Sequence, residues 1–214
     1  MNVHIVRRSL VVALPLMLAG CASLPTPTVF NKEAPASPAL DAASRPFHAT
    51  IDLAGRLSVR YQGPRNEEAL HGSFLWAQKP TQTTVTLLSP LGQTIAVIDV
   101  TPEGATFIQG GQPIRRASDV DALTAETLGW PLPVAGLRDW LQGFALDASG
   151  RRFIAAPEAS NVSTRDGWRI HYANWQDESM PVFQNRPKRI DLARFTEQAG
   201  DVSIRIVIDS WQVH

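Results

Sequence analysis

The sequence predicts a mostly β protein: one antiparallel sheet of about ten strands, curled around an apolar interior and capped by a helical insert. Three observations carry that expectation. Apolar residues recur with period two along most of the chain, Gly and Pro punctuate it at short intervals, and only between residues 118 and 144 does the spacing turn helical.

The first strand is read from Ile51, Leu53, Leu57, Val59 and Tyr61 alternating with Asp52, Arg56, Ser58 and Arg60, which puts apolar groups on one face and polar groups on the other. Leu70, Phe74 and Trp76 set against His71, Ser73 and Gln78 give the second. Thr83 to Ser89 and Thr94 to Thr101 are β-branched segments separated by the turn Pro90-Leu91-Gly92. Pro102-Glu103-Gly104 and Gly110-Gly111 then bracket short segments around Phe107 and Ile114.

In the insert, Val120, Leu123 and Leu128 form one helical stripe, and Val134, Leu137, Trp140 and Leu141 form another. Ser118 is the expected N-cap, Gly129 suits a left-handed stop, and Pro131 and Pro133 block continuation. Strand patterning resumes at Phe153 and runs through Trp168, Ile170 and Tyr172, then Ile190 and Leu192, then Ile204, Ile206 and Ile208 before Trp211. A sheet of that many strands must curl, split or close, and one too wide to be filled by its own side chains encloses a cavity.

Composition excludes several function classes. The 214 residues carry 20 basic and 20 acidic side chains, so nucleic acid is not an expected partner. The single cysteine, Cys21, rules out a disulfide framework and a multi-cysteine metal site. His4, His48, His71, His171 and His214 form no spaced metal-binding pair, and Gly72-Ser73-Phe74 lacks the geometry of a nucleophile elbow. Asp119, Asp121, Glu126 and Asp139 sit where helix starts and solvated faces favour carboxylates. No catalytic residue, metal or cofactor is assigned, and the chain is expected not to be an enzyme.

The amino terminus carries addressing information. Arg7 and Arg8 precede an apolar run from Ser9 to Ala19, well short of the roughly 20 residues needed to span a bilayer. Leu18-Ala19-Gly20-Cys21 resembles the bacterial lipobox, with cleavage between Gly20 and Cys21 and acylation of Cys21. A plain secretory signal with a coincidental cysteine is the alternative, and it leaves an exposed thiol to explain. Residues 1–20 are thus read as a signal peptide and 21–46 as a tether rich in Pro, with a short helix within Ala39 to Ser44. Residues 47–214 are the folded body. Ala22 and Ser23 replace the aspartate that retains lipoproteins in the inner membrane, which points to the outer membrane.

Six Trp, at 76, 130, 140, 168, 175 and 211, are each best explained by core packing and collectively suit the wall of an oily pocket. Trp76, Leu87, Trp140, Leu141, Ile190 and Ile206 are the candidate lining residues. Leu91, at the tip of a turn that needs only Pro and Gly, reads on residues alone as folded back onto the sheet.

Taken in order, the lipobox, Gly55-Arg56-Leu57, Leu87-Leu88-Ser89-Pro90-Leu91-Gly92, Gly129-Trp130-Pro131-Leu132-Pro133-Val134, Leu137-Arg138-Asp139-Trp140-Leu141-Gln142-Gly143, Asp166-Gly167-Trp168 and Ile208-Asp209-Ser210-Trp211 resemble the LolB family of outer-membrane lipoprotein receptors, from Gly55 to the end. The resemblance implies a half-open antiparallel barrel of about ten to eleven strands enclosing a hydrophobic cavity and capped by helices. It implies a monomer, anchored by Cys21 at the periplasmic face of the outer membrane. Its partners would be a LolA-type periplasmic carrier, the acyl chains of lipoproteins, and the inner leaflet of the outer membrane. It also implies that Pro90, Leu91 and Gly92 form a protruding loop whose leucine serves delivery into the membrane. A structural lipoprotein with a solid barrel, and an envelope hydrolase with a dispersed site, are the alternatives.

Overall fold

A computed structural model describes residues 45–63, 65–177 and 185–214. The signal peptide, Cys21 and the helix expected within Ala39 to Ser44 lie outside the described residues. Six strands come first: β1 (Ile51–Gln62), β2 (Glu67–Gln78), β3 (Thr83–Leu88), β4 (Thr94–Thr101), β5 (Gly104–Gln109) and β6 (Arg115–Ala117). The insert follows as α1 (Val120–Leu128) and α2 (Val134–Trp140). The chain then continues through β7 (Phe144–Leu146), β8 (Arg152–Ile154), β9 (Asn161–Ser163), β10 (Arg169–Trp175), β11 (Pro187–Thr196) and β12 (Gly200–Val213).

Ten strands make one antiparallel sheet in the order β6-β5-β4-β3-β2-β1-β12-β11-β10-β9, while β7 and β8 pair separately. Each half is a meander, and the halves are joined where the first strand meets the last, from Ile51 opposite Val213 to Arg60 opposite Ser203. The edges β6 and β9 do not pair, so the barrel is half-open as expected. A register shift at Ala54 and Gly55 bends this central seam. Only Gly fits there: a Cβ at Gly55 would stand 2.2 Å from the Val207 carbonyl oxygen.

Three expectations are corrected. Asp119, not Ser118, caps α1, its Oδ1 accepting the N–H groups of Asp121 at 2.8 Å and Ala122 at 3.0 Å. Leu70 shares the inward phase of β2 but is exposed, because β3 pairs β2 only from Ser73 to Gln78 and leaves the earlier half uncovered. Gln78, assigned to the wet face, is in phase with Trp76 and buried. Its amide is satisfied there: Nε2 donates to the His48 carbonyl at 3.2 Å, and Oε1 accepts from Trp76 Nε1 at 3.2 Å.

Among the described residues, the buried apolar core falls between Ile51 and Ile208 and forms one cluster spanning sheet and insert. Five of the six Trp belong to it, with Trp211 packed partly buried at its margin. Over the inner face, α1 packs against β5 and β6, α2 against β7, and the two helices against each other.

Candidate functional site

The inner face of the sheet and the insert meet around a small apolar cavity. From the sheet it is lined by Leu57, Phe74, Trp76, Val85, Leu87, Ile204 and Ile206, and from the insert by Leu132, Leu137 and Leu141. Trp76, Leu87, Leu141 and Ile206 are thus on its wall. Trp140 and Ile190 are not: Trp140 stacks edge-on against Trp168 at 6.3 Å, and Ile190 is fully buried elsewhere in the core. Leu57, Phe74 and Ile204 carry the same period-two signal as Trp76, Leu87 and Ile206, but alternation marks a face and not a depth, so it does not single them out as wall residues.

The cavity is about 20 Å³, room for roughly one water molecule. The open hollow expected from strand number is closed here by the insert, whose leucines fill it. As it stands the cavity has no room for an acyl chain.

The bonds that hold the insert down are few and lie at its rim. From α2, Arg138 donates to Thr83 Oγ1 at 2.9 Å and to the carbonyls of Lys79 at 2.8 Å and Pro80 at 3.0 Å, clasping the β2–β3 turn. Just after α2, Gln142 brackets His48, with Nε2 donating to its carbonyl at 3.0 Å and Oε1 accepting its N–H at 2.8 Å. Within the insert, Thr124 Oγ1 donates to the Leu132 carbonyl at 3.0 Å, and Asp121 Oδ1 accepts the Ala135 N–H at 3.1 Å.

Burial pushes the Asp121 carboxyl up to about 6, against the opposing pull of the Ala135 N–H bond. The folded chain therefore holds a proton that the unfolded chain has already released. The stabilisation is full below the ordinary carboxylate value and is lost as pH rises through about 6. Asp121→Asn keeps the acceptor and removes the charge, so it is expected to raise the melting temperature at pH 8 by a few degrees, about 1–2 kcal/mol. Thermal unfolding from pH 4 to 8 checks this: the variant's profile should be flatter, and an unchanged slope would assign the pH dependence elsewhere.

Sequence reasoning missed Arg45, which had been placed in the tether. It is buried at 4% exposure. Its guanidinium donates to the carbonyls of Gln142 at 3.1 Å and Ala155 at 3.3 Å, and through Nε to that of Asn185, and it lies 5.2 Å from the centre of the Trp175 ring. Nothing in the Pro-rich pattern around it signals this.

The turn between β3 and β4 presents Leu91 outward at 87% exposure, the reverse of what its residue type alone suggested. The turn is closed by Ser89 N–H to the Gln93 carbonyl at 2.8 Å, Gly92 N–H to the Ser89 carbonyl at 2.9 Å, and Gln93 N–H to Ser89 Oγ at 3.2 Å. Gly92 adopts φ +80°, which a side chain would resist. The leucine is thus held out on a stiff stem rather than left on a loose loop.

Comparison with known proteins adds a family. The model described as outer membrane lipoprotein LolB matches residues 49–211. An outer-membrane lipoprotein LolB of Cupriavidus taiwanensis is 39% identical over 204 residues, covering 94% of each chain. One of Thiobacillus denitrificans is 35% identical over 208 residues, covering 96% of this chain and 97% of the other. Among solved structures, a LolA superfamily protein of Nitrosomonas europaea aligns with a TM-score of 0.42 at 10% identity, over 81% of this chain and 90% of that one.

Proposed function

Because this chain belongs to the LolB family of outer-membrane lipoproteins, we propose that it is a receptor which takes acylated lipoproteins from a LolA-type periplasmic carrier and releases them into the outer membrane. Acylated Cys21 would hold it there, and no helix among the described residues is long and apolar enough to cross a membrane. The process is transfer without catalysis. The observation that carries this reading is the all-apolar seam between sheet and insert, closed by a lid whose polar fastenings lie at its rim.

Magnitudes support opening by cargo. Withdrawing Leu132, Leu137 and Leu141 from the seam costs about 5–9 kcal/mol at about 1.5–3 kcal/mol each. One acyl chain of about 15 methylenes returns about 12 kcal/mol, and three chains about 36 kcal/mol. Relative to exposure in water, a single tail is enough to hold the lid open. The pocket supplies no fixed polar anchor, so it favours hydrocarbon over water without outcompeting a bilayer.

The test uses the non-acylated chain from residue 22 onward and a triacylated lipopeptide. Saturable one-to-one binding with a shift in Trp fluorescence is expected, since Trp76 lines the seam. Arg138→Ala removes the clasp on the β2–β3 turn; it is expected to cost about 1–2 kcal/mol of stability and to speed uptake several-fold. The small cavity also favours a second reading, a solid barrel with a structural role in the envelope. No lipopeptide binding by either protein would decide for it.

A further inference from the structure

A cavity of about 700 Å³ lies on the outer face of the sheet rather than inside it. Two rows of paired residues cross it. One runs His71, Ser58, Arg205, Asp191, His171, Asn161, and the next runs Ala69, Arg60, Ser203, Ala193, Arg169, Ser163. Small side chains at Ser58, Ser203 and Ala193 form the floor, while Arg60 and Arg169 stand on either side, three strands or about 14 Å apart.

The charge of this groove is unbalanced on a chain whose formal net charge is zero. Its one lining carboxylate, Asp191, is already shared by Arg189 at 2.7 Å and Arg205 at 2.9 Å. Arg60 and Arg169 are exposed and make no ion pair among the described residues. A second cleft of about 400 Å³ shares Ser58, His71 and Arg205 with the groove and ends at Pro90, beside Leu91. The basic surface and the apolar tip are therefore one continuous feature.

We propose that this groove binds the phosphate headgroups of anionic lipids and seats the receptor on the bilayer while Leu91 enters it. The inference rests on the membrane role that the family resemblance implies for the Leu91 turn. Guanidinium groups match phosphate oxygens in a forked geometry. A tip that dips into the acyl boundary brings the adjoining cleft to headgroup level, and basic side chains at an anionic surface are each worth about fivefold in binding.

The experiment measures co-sedimentation of the non-acylated chain from residue 22 with vesicles of phosphatidylglycerol and of phosphatidylcholine. Phosphatidylglycerol should bind better, and the double variant Arg60→Gln/Arg169→Gln should lose about twenty-fivefold on it with little change on phosphatidylcholine. An unchanged melting temperature shows that the variant is folded. Equal binding to both lipids, or no loss in the double variant, overturns the proposal. So does binding of inorganic phosphate that saturates the groove and leaves vesicle binding untouched, or a double variant that binds vesicles normally but no longer accepts cargo from a LolA-type carrier, which would assign the groove to a protein. Leu91→Glu separates the two readings: normal cargo incorporation by that variant sinks the role of the turn, whereas equal binding of the unaltered chain to both lipids, with incorporation still lost in Leu91→Glu, sinks only the groove.

Discussion

Leu91→Glu is expected to leave the fold and the binding of cargo intact while reducing incorporation of lipoprotein into membranes by about a thousandfold or more. Leu91 is 87% exposed, and the hydrogen bonds that close its turn involve only Ser89, Gly92 and Gln93, so its side chain contributes little to stability. A surface change of this kind stays within about 0.5 kcal/mol. The cost falls on the membrane step. A leucine moved from water into an apolar layer gains about 1.5–3 kcal/mol, and an acidic group in its place costs about 2.5–3.5 kcal/mol there. The combined difference of about 4–6.5 kcal/mol corresponds to about 10³–10⁵ in partition of the tip. Transfer from carrier to vesicles, scored alongside the melting temperature, checks both halves; normal incorporation would remove Leu91 from the mechanism.

Arg45→Met is expected to produce the largest loss of stability, about 3–5 kcal/mol, or roughly 6–20 °C in melting temperature. Burial draws the Arg45 guanidinium down to about 10, still charged at neutral pH. It joins three segments far apart in the chain by donating to carbonyls of Gln142, Ala155 and Asn185. Met fills much of the volume but leaves those acceptors buried without this donor. Lysine, with a single point of donation, should restore only part of the loss. The fit is close, since a Cβ at Gly143 would lie 2.2 Å from Arg45 Nη1. A drop in melting temperature of less than about 2 °C would show that these contacts are incidental.

Much of this architecture was legible before any coordinates. Ile51, Leu53, Val59 and Tyr61 are buried, as their alternation required, and the first helix of the insert starts two residues after the spacing changes at 118, while the second ends at Trp140, four residues before 144. The resemblance to the LolB family matched the family model over residues 49–211. Other features were not legible. Gln78 is polar by type yet buried, because a carbonyl of His48 from another segment meets its amide. Leu91 is apolar yet exposed, because its turn is closed by its own backbone and Ser89 rather than by packing. Trp140 and Ile190 have the periodicity of wall residues and sit in solid core.

The amino-acid sequence on its own determined which side of each strand is dry and where the helical insert interrupts the sheet, because those properties depend on spacing between near neighbours. Tertiary structure alone decided that β1 closes against β12, that the insert fills the seam down to about 20 Å³, and that the uncompensated arginines line up outside it. Pairing partners, depth and charge balance are set by residues 100 or more positions apart, such as Ser58 and Arg205. No local pattern encodes how such pairs meet.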